Sequence, residues 1–534
     1  MFATEHIPYN QTNSFTRIIL DYLDDSEKLD SFCSFPPTLE GIKKAIEKKQ
    51  KQPLDRQTLV KVLTEQYSSG IPGPVEKNIQ SLLFENTFTV CTAHQPNLFT
   101  GPLYFIYKIL HAIKLADFLR QQLPQYHFVP VYYMGSEDAD FAELNHTYVD
   151  GKKIEWKKDQ KGAVGRMKVD KTLVQLIDEL DAQLSVEKNG PEVINLLRKS
   201  YSEGKNIQTA TFGLINELYG EYGLVVLIPD HPALKSQMIK VFEDDIFRNR
   251  PFGIVQKTSE KLGKEYQVQA HPREINLFYL KDNIRERIER KKDHYVVCNT
   301  ELSFTEDDLR KELQKYPERF SPNVILRGLF QETILPNLIF VGGGGELAYW
   351  MQLKDLFDHY QVAFPVLFLR NSFLIIQGKW KSKIEKLGLQ ISDLFKPENE
   401  LMNEMVLKNS KHTISLNGNF EKAEELFETI KVQAEAIDQT LSQHVAAIKA
   451  RSLKTLQELE KKMLRAEKRK FSDQQRQIQK IREVLFPGNQ LQERVENFSG
   501  FYAKWGKSFI EELYKNSLAL EQRFCILVED HSKT

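Results

Sequence analysis

Four polar side chains, His94, Gln95, Asn97 and Thr100, fall between the short apolar run Phe88-Thr-Val-Cys91 and Gly101. An imidazole, two amides and a hydroxyl can hold an acyl or phosphoryl oxygen and move a proton. A second group, Ser136, Glu137, Asp138 and Asp140, follows another apolar run and is trailed by His146. Its carboxylates can bind an ammonium, act as a base or, with His146, hold a cation. That spacing matches no standard metal motif, so no permanent metal is expected. A third group is Gly342-Gly-Gly-Gly345-Glu346. Glycines let a backbone approach a ligand closely. The run is neither GxGxxG followed by its acidic partner nor a P-loop with Gly-Lys-Ser/Thr. Each group also has a plain structural reading. His94 could be a satisfied loop histidine beside capping Asn97 and Thr100, the acidic stretch a solvated turn, and Glu346 a favourable charge at a helix N-terminus. Gly500 to Ser508 imitates a P-loop, but five residues separate its glycines and no strand precedes it, so it receives no phosphate role.

The elements that must position these groups are legible from periodicity. Phe88 to Cys91 reads as a strand and Leu103 to about Leu119 as a helix, with Tyr104 and Lys108 on its first turns. Gln125 to Met134 reads as a buried strand that delivers Gly135 to His146. Gly223 to Pro232 is another, followed by a helix from Ala233 to Phe247. Asn323 to Arg327 is a short run leading into Gly328 to Pro336, which carries Gln331. Leu338 to Val341 feeds the glycines, and Phe364 to Arg370 is the last core strand. Polar loops at the carboxyl ends of successive strands predict an α/β, Rossmann-like, doubly wound parallel sheet, with ligands bound at that edge.

The domain plan is a helical segment over 1–85 packing on the core, a core over 86–375 with insertions at about 148–205 and 250–320, a helical arm over 376–490 and a returning helical segment over 491–534. No Gly or Pro occurs from Asn419 to Phe486, and apolar residues at Ile430, Ala434, Ile437, Leu441, Val445 and Ile448 make a coiled-coil seam. As one helix this stretch would be ~100 Å long; two antiparallel helices or a dimer would bury the seam. Lys plus Arg and Asp plus Glu both total 73, a balance that argues against a nucleic-acid binder. Cys33, Cys91, Cys298 and Cys525 form no CxxC and read as reduced thiols, which suits a cytoplasmic protein. The start shows no signal peptide, and no apolar run approaches the ~20 residues that span a membrane.

The stretches Thr92 to Tyr104, Ser136 to Phe141 with Asn145-His146, Gln331 to Pro336, Gly342 to Tyr349 and Leu491-Gln-Glu-Arg494 together resemble the BshC family, the cysteine ligases of bacillithiol biosynthesis, in order and over nearly the whole chain. Many members carry Gly-Gln-Gln where this chain has Ala93-His94-Gln95, so the resemblance points to Gln95 before His94. It implies a Rossmann-like core with two connecting regions, a coiled-coil arm that makes a homodimer, nucleotide (ATP or ADP) binding, and addition of cysteine to glucosaminyl-malate in the last step of the pathway.

That chemistry needs an activated carboxyl, and positioning then supplies most of the rate. The activated group is expected over His94–Gly101 and Gly342–Gly345. The catalytic candidates are His94, Gln95, Glu137, Asp138 and Asp140, the three carboxylates orienting the amine and accepting its proton. Asn97, Thr100, Gly101, Tyr104, Ser136, His146 and Gln331 are candidates to contact substrate. Arg370 and Lys108 are candidates for the malyl carboxylates. Gly342 to Gly345 and Glu346 would meet the nucleotide. A non-catalytic nucleotide-binding scaffold and a nucleotidylyltransferase are the alternatives from other classes.

Overall fold

A computed structural model describes residues 2–68 and 70–530 and divides into two compact units, one of residues 2–10, 14–375 and 490–530, the other of residues 11–13 and 376–489. The first is built on five parallel strands: β1 (Thr87–His94), β2 (His127–Met134), β3 (Val225–Leu227), β4 (Asn337–Gly342) and β5 (Val366–Leu369). Their spatial order is β5-β4-β1-β2-β3. β1 is buried along all but its last residue, as expected of a parallel strand covered on both faces. The chain winds outward through β2 and β3, then returns to the other side of β1. A crevice therefore opens between the carboxyl ends of β1 and β4, the switch point of a doubly wound sheet.

Helix α1 (Tyr104–Gln122) follows β1 and is buried over most of its length. On the amino-terminal side, helix Leu39–Lys49 packs Ile42 and Ile46 into one cluster with Ile339 and Val366. Each such fully buried isoleucine contributes about 1.5–3 kcal/mol. The region before β1 is not purely helical. Phe2–Ile7 is a strand, paired antiparallel with Phe524–Glu529 so that Phe2 faces Glu529 and Ile7 faces Phe524. Local periodicity missed it because its partner lies at the far end of the sequence.

Between β2 and β3 the chain makes a hairpin, His146–Val149 with Lys152–Glu155, and helices Lys171–Leu184, Gly190–Ser200 and Ile207–Tyr219. The helix expected from Ala233 to Phe247 is instead three pieces: α2 (Pro232–Lys235), a 3-10 turn over Ser236–Met238, and Ile239–Arg248. Helix Arg250–Leu262 and an antiparallel sheet containing Leu277–Lys281, Ile284–Lys291 and His294–Val297 follow. Asn323 caps helix α3 (Val324–Ile334) by accepting the Ile325 N–H at 2.9 Å. Helix α4 (Gly344–Met351) follows β4 and buries Trp350 against Phe340, rings stacked 4.3 Å apart.

The second unit contains a helical hairpin, Asn417–Glu435 and Leu441–Lys468. Glu428 meets Lys449 at 2.7 Å, Glu435 meets Ser442 at 2.6 Å, and Glu460 accepts the Leu416 N–H at 2.9 Å, so the two helices run antiparallel. No Gly or Pro makes the bend. Asp438 accepts the Thr440 N–H at 2.8 Å, and this side-chain turn competes with the helical bond. Among the described residues no helix is long and apolar enough to cross a membrane.

Candidate active site

The crevice at the carboxyl edge holds a cavity of about 410 Å³, within the usual size of a small-molecule site. β1 delivers His94 and Gln95, the loop after β2 delivers Glu137 and Asp138, and the loop after β4 delivers Gly343 to Gly345. Tyr104 and Lys108 enter from α1, Glu346 and Tyr349 from α4, and Arg370 from just past β5.

The loop after β1 is strained in place. Phe99, Thr100 and Gly101 all have left-handed φ, at 49°, 75° and 66°. Asn497 holds them by donating from Nδ2 to the carbonyls of Phe99 (2.9 Å) and Gly101 (2.6 Å). Such strain in non-glycine residues persists only where surroundings over-determine it. It turns Asn97, Thr100 and Gly101 inward, away from the cavity, where Asn97 is 5% and Thr100 1% exposed. These three are therefore scaffold for the pocket rather than the contacts expected of them.

His94 sits edge-on to Tyr104 and near Phe105, and its carbonyl accepts the Gly135 N–H at 2.8 Å. Its Nε2 is shielded and has no partner among the described residues. Burial, then Lys108, Arg370 and Arg327, hold its pKa well below the usual histidine value, so the ring is neutral at pH 7 and can offer a hydrogen bond without a charge. Gln95 donates from Nε2 to Asp138 Oδ2 at 3.0 Å. The other oxygen of Asp138 accepts the Ala139 N–H at 2.7 Å and lies 3.8 Å from Arg285.

The two adjacent carboxylates differ in kind. Glu137 is buried and paired with Lys235, which also reaches Asp230 at 3.6 Å and donates to the Glu318 carbonyl at 3.0 Å. Burial pushes the Glu137 carboxyl up, and Lys235 offsets part of that. For Asp230 burial acts in the same direction, but Lys235 and Arg166 outweigh it and hold the carboxyl below the usual range. Asp138 is 34% exposed by side chain and open to the cavity.

On the opposite wall, Lys108 donates to the Ala93 carbonyl at 3.0 Å and is ion-paired with Glu346. Arg370 is bonded through Nη2 to Glu493 at 2.7 Å and through Nη1 to the Asn371 carbonyl and Ser372 Oγ, each at 3.0 Å. Burial and Glu346 push the Tyr104 hydroxyl up to about 12, so it stays protonated.

Other expected contacts lie outside the cavity. Asp140 accepts the Glu143 N–H at 3.3 Å and caps helix Phe141–Leu144. Ser136 is buried, its carbonyl accepting the Gly165 N–H at 2.9 Å. His146 opens a strand and meets Asn145 Oδ1 at 3.2 Å. Gln331 is fully buried behind the wall, accepting from Arg327 at 3.4 Å. Gly342 is demanded by packing, because a Cβ there would stand 2.7 Å from the Phe340 ring and 2.9 Å from Leu347.

Arg285, Arg327, Tyr349 and Tyr133 are among the lining residues that the sequence did not single out as site candidates. Arg285 lies in a charge-dense stretch of the second insertion with nothing to single it out. Arg327 precedes Gly328 at the start of α3, where it reads as an ordinary surface cation. Among the described residues no group of three His, Cys, Asp or Glu side chains converges to hold a metal.

Comparison with known proteins decides the family. Residues 2–371 match the model of the bacillithiol biosynthesis BshC N-terminal Rossmann-like domain, and residues 373–529 match that of the BshC C-terminal coiled-coil domain. The chain belongs to the BshC family. A Flavobacterium johnsoniae BshC protein named "Putative cysteine ligase BshC" is 40% identical over 527 residues, covering 98% of this chain and 99% of that one. A Christiangramia forsetii protein of the same name is 40% identical over 532 residues, again 98% and 99%. One from Salinibacter ruber is 29% identical, covering 96% of each. As a BshC member the chain has a role in bacillithiol biosynthesis. The BshC Rossmann-like match takes in β1 to β5 and the loops after β1, β2 and β4.

Proposed function

We propose that this cavity joins the carboxyl group of cysteine to the amine of glucosaminyl-malate, the last step of bacillithiol formation, with ATP activating the carboxyl. The observation that carries this reading is the polarity of the pocket. The exposed carboxylate of Asp138, with the Arg285 guanidinium 3.8 Å from it, lines the cavity together with the guanidinium groups of Arg327 and Arg370. That suits a substrate with an amine at one end and oxyanions at the other. The relatives' shared name supports the cysteine ligase assignment.

ATP supplies a leaving group, phosphate or AMP, on the cysteine carboxyl. The amine nitrogen then attacks the acyl carbon, the C–N bond forms, and the bond to the leaving oxygen breaks. Asp138 accepts the amine proton, held in register by Gln95 and the Ala139 N–H. Glu137, already neutralised by Lys235, orders the loop rather than taking the proton. Neutral His94 and the backbone of Gly343–Gly345 are placed to hold the activated group.

The hairpin of the second unit is proposed to make a homodimer. Leu426 and Ile437 on it are 57% and 83% exposed, more apolar surface than a lone hairpin should show.

The test is incubation of pure protein with cysteine, glucosaminyl-malate and ATP, read by mass spectrometry. Amide together with ADP or AMP supports the reading. Pyrophosphate release without amide points to a nucleotidylyltransferase, and neither product points to a scaffold.

A further inference from the structure

The charges on the cationic wall are unevenly matched. Lys108 is committed to Glu346 and Arg370 to Glu493. Arg327 has no carboxylate within ion-pair distance among the described residues. It is fixed from behind instead. Tyr349 accepts one of its N–H groups through the hydroxyl, Gln331 accepts another at 3.4 Å, and the Tyr133 ring lies 5.8 Å from its guanidinium carbon. A guanidinium held on its back by neutral groups presents its remaining N–H donors in a set direction.

Two further features converge on the same place. The Nε of Arg370, a residue only 3% exposed, is shielded and has no partner among the described residues. A Cβ at Gly343 would stand 3.7 Å from that nitrogen and 3.5 Å from Glu346 Oε2. Gly345 has nothing within 4 Å of where its Cβ would be. At the start of α4 the Gly343 N–H is already taken by Glu346 at 2.8 Å, and the first-turn N–H groups that follow lack intrahelical partners and carry the positive end of the helix dipole. Tyr349, whose hydroxyl steadies Arg327, lies one turn on from Gly345 on the same helical face.

We infer that Arg327, the Nε of Arg370 and the amino end of α4 form an oxyanion subsite, with Arg327 the residue that reads the ligand. The missing counter-charge arrives with the substrate. Two components of the proposed reaction carry suitable groups: the malyl carboxylates of the acceptor and the phosphates of the nucleotide. Arg327 takes either as a two-toothed contact, and Asp138 orients the amine end. Arg327 thereby fixes substrate direction, whereas Lys108, expected to hold a malyl carboxylate, is occupied by Glu346. This inference rests on the ligase reading for the identity of the anion, but not for the existence of the subsite.

The test is calorimetric titration of the full chain with L-malate and, separately, inorganic pyrophosphate. Wild type, Arg327→Gln and Arg327→Lys are compared, with thermal melts to show that each variant is folded. The expected result is that one probe binds wild type and loses at least tenfold in affinity in Arg327→Gln, with partial recovery in Arg327→Lys, which keeps the charge but not the fork. Loss for malate assigns the subsite to the acceptor, and loss for pyrophosphate assigns it to the nucleotide. If Arg327→Gln does not fold, Arg327→Lys decides by the same titration, with a several-fold loss expected. The inference is overturned if neither probe binds wild type at millimolar concentration, or if a folded Arg327 variant binds both as wild type does. No turnover is needed, so absent amide formation would remove the ligase reading while leaving the subsite standing. Normal amide formation with unchanged probe affinity in Arg327→Gln would remove the subsite alone.

Discussion

Lys108 and Glu346 form an ion pair across the crevice, with side chains 2% and 24% exposed, and Glu346 also accepts the Gly343 N–H at 2.8 Å. One carboxylate thus ties α1 to the first turn of α4 at the carboxyl edge of the sheet. Taking one partner away leaves a charge in a poorly solvated place. Lys108→Met should cost about 3 kcal/mol of stability, with Glu346→Gln costing less because Glu346 is the better solvated partner. Chemical denaturation of both single variants and the double variant checks this. Additive losses would mean that the pair has no coupling.

Asp138 and Glu137 are neighbours with opposite expected phenotypes. Asp138→Asn keeps the shape and removes the proton acceptor, so kcat should fall about 10²–10⁴-fold with KM little changed. Glu137→Gln should instead loosen its contact with Lys235 and lower the melting temperature. Steady-state kinetics alongside a thermal melt separate the two, and unchanged turnover in Asp138→Asn would remove it from the reaction.

The glycine run offers a contrast between packing and ligand contact. Gly342→Ala places a methyl 2.7 Å from the Phe340 ring and should destabilise the fold. Gly345→Ala meets nothing within 4 Å and should leave the melting temperature alone. It should nevertheless raise a substrate KM several-fold, because the added methyl narrows the cavity mouth. Equal melts and equal KM values for Gly345→Ala and wild type would separate this glycine from the ligand.

His111 is fully buried. Its Nδ1 accepts the Asn371 N–H at 3.2 Å, so Nε2 carries the proton and donates to the Ala519 carbonyl at 3.1 Å. Burial lowers its pKa to about 4 from 6.5. The unfolded chain therefore binds a proton that the folded chain refuses across that window. The stability this group contributes is fully present above pH 6.5 and is lost as pH falls toward about 4, to the extent of about 3 kcal/mol. Denaturation midpoints between pH 4 and 6.5 should slope less in His111→Gln than in wild type, and parallel slopes would exclude His111 as their source.

The exposed hairpin seam predicts a change of assembly. Leu426→Glu with Ile437→Glu should turn a dimer into a monomer in sedimentation, with the cavity untouched. A wild-type protein that already sediments as a monomer would refute the dimer.

The alternation of apolar strand and polar loop determined the parallel sheet and placed His94, Glu137, Asp138 and Gly343–Gly345 at one edge, because strand direction fixes where loops emerge. Phe88, Val90, Val341 and Phe368 announce that sheet by being apolar in short runs, a signal carried by the residues themselves. Tertiary structure decided which polar residues at that edge face the cavity. Asn497, about four hundred residues away, turns Asn97 and Thr100 inward, and Lys235 reaches back to neutralise Glu137. Arg327 joins the wall because the first turn of α3 borders the cavity, and the strand Phe2–Ile7 exists because Phe524–Glu529 comes to meet it. Those outcomes depend on pairings between distant segments, and local periodicity carries no information about a partner's position.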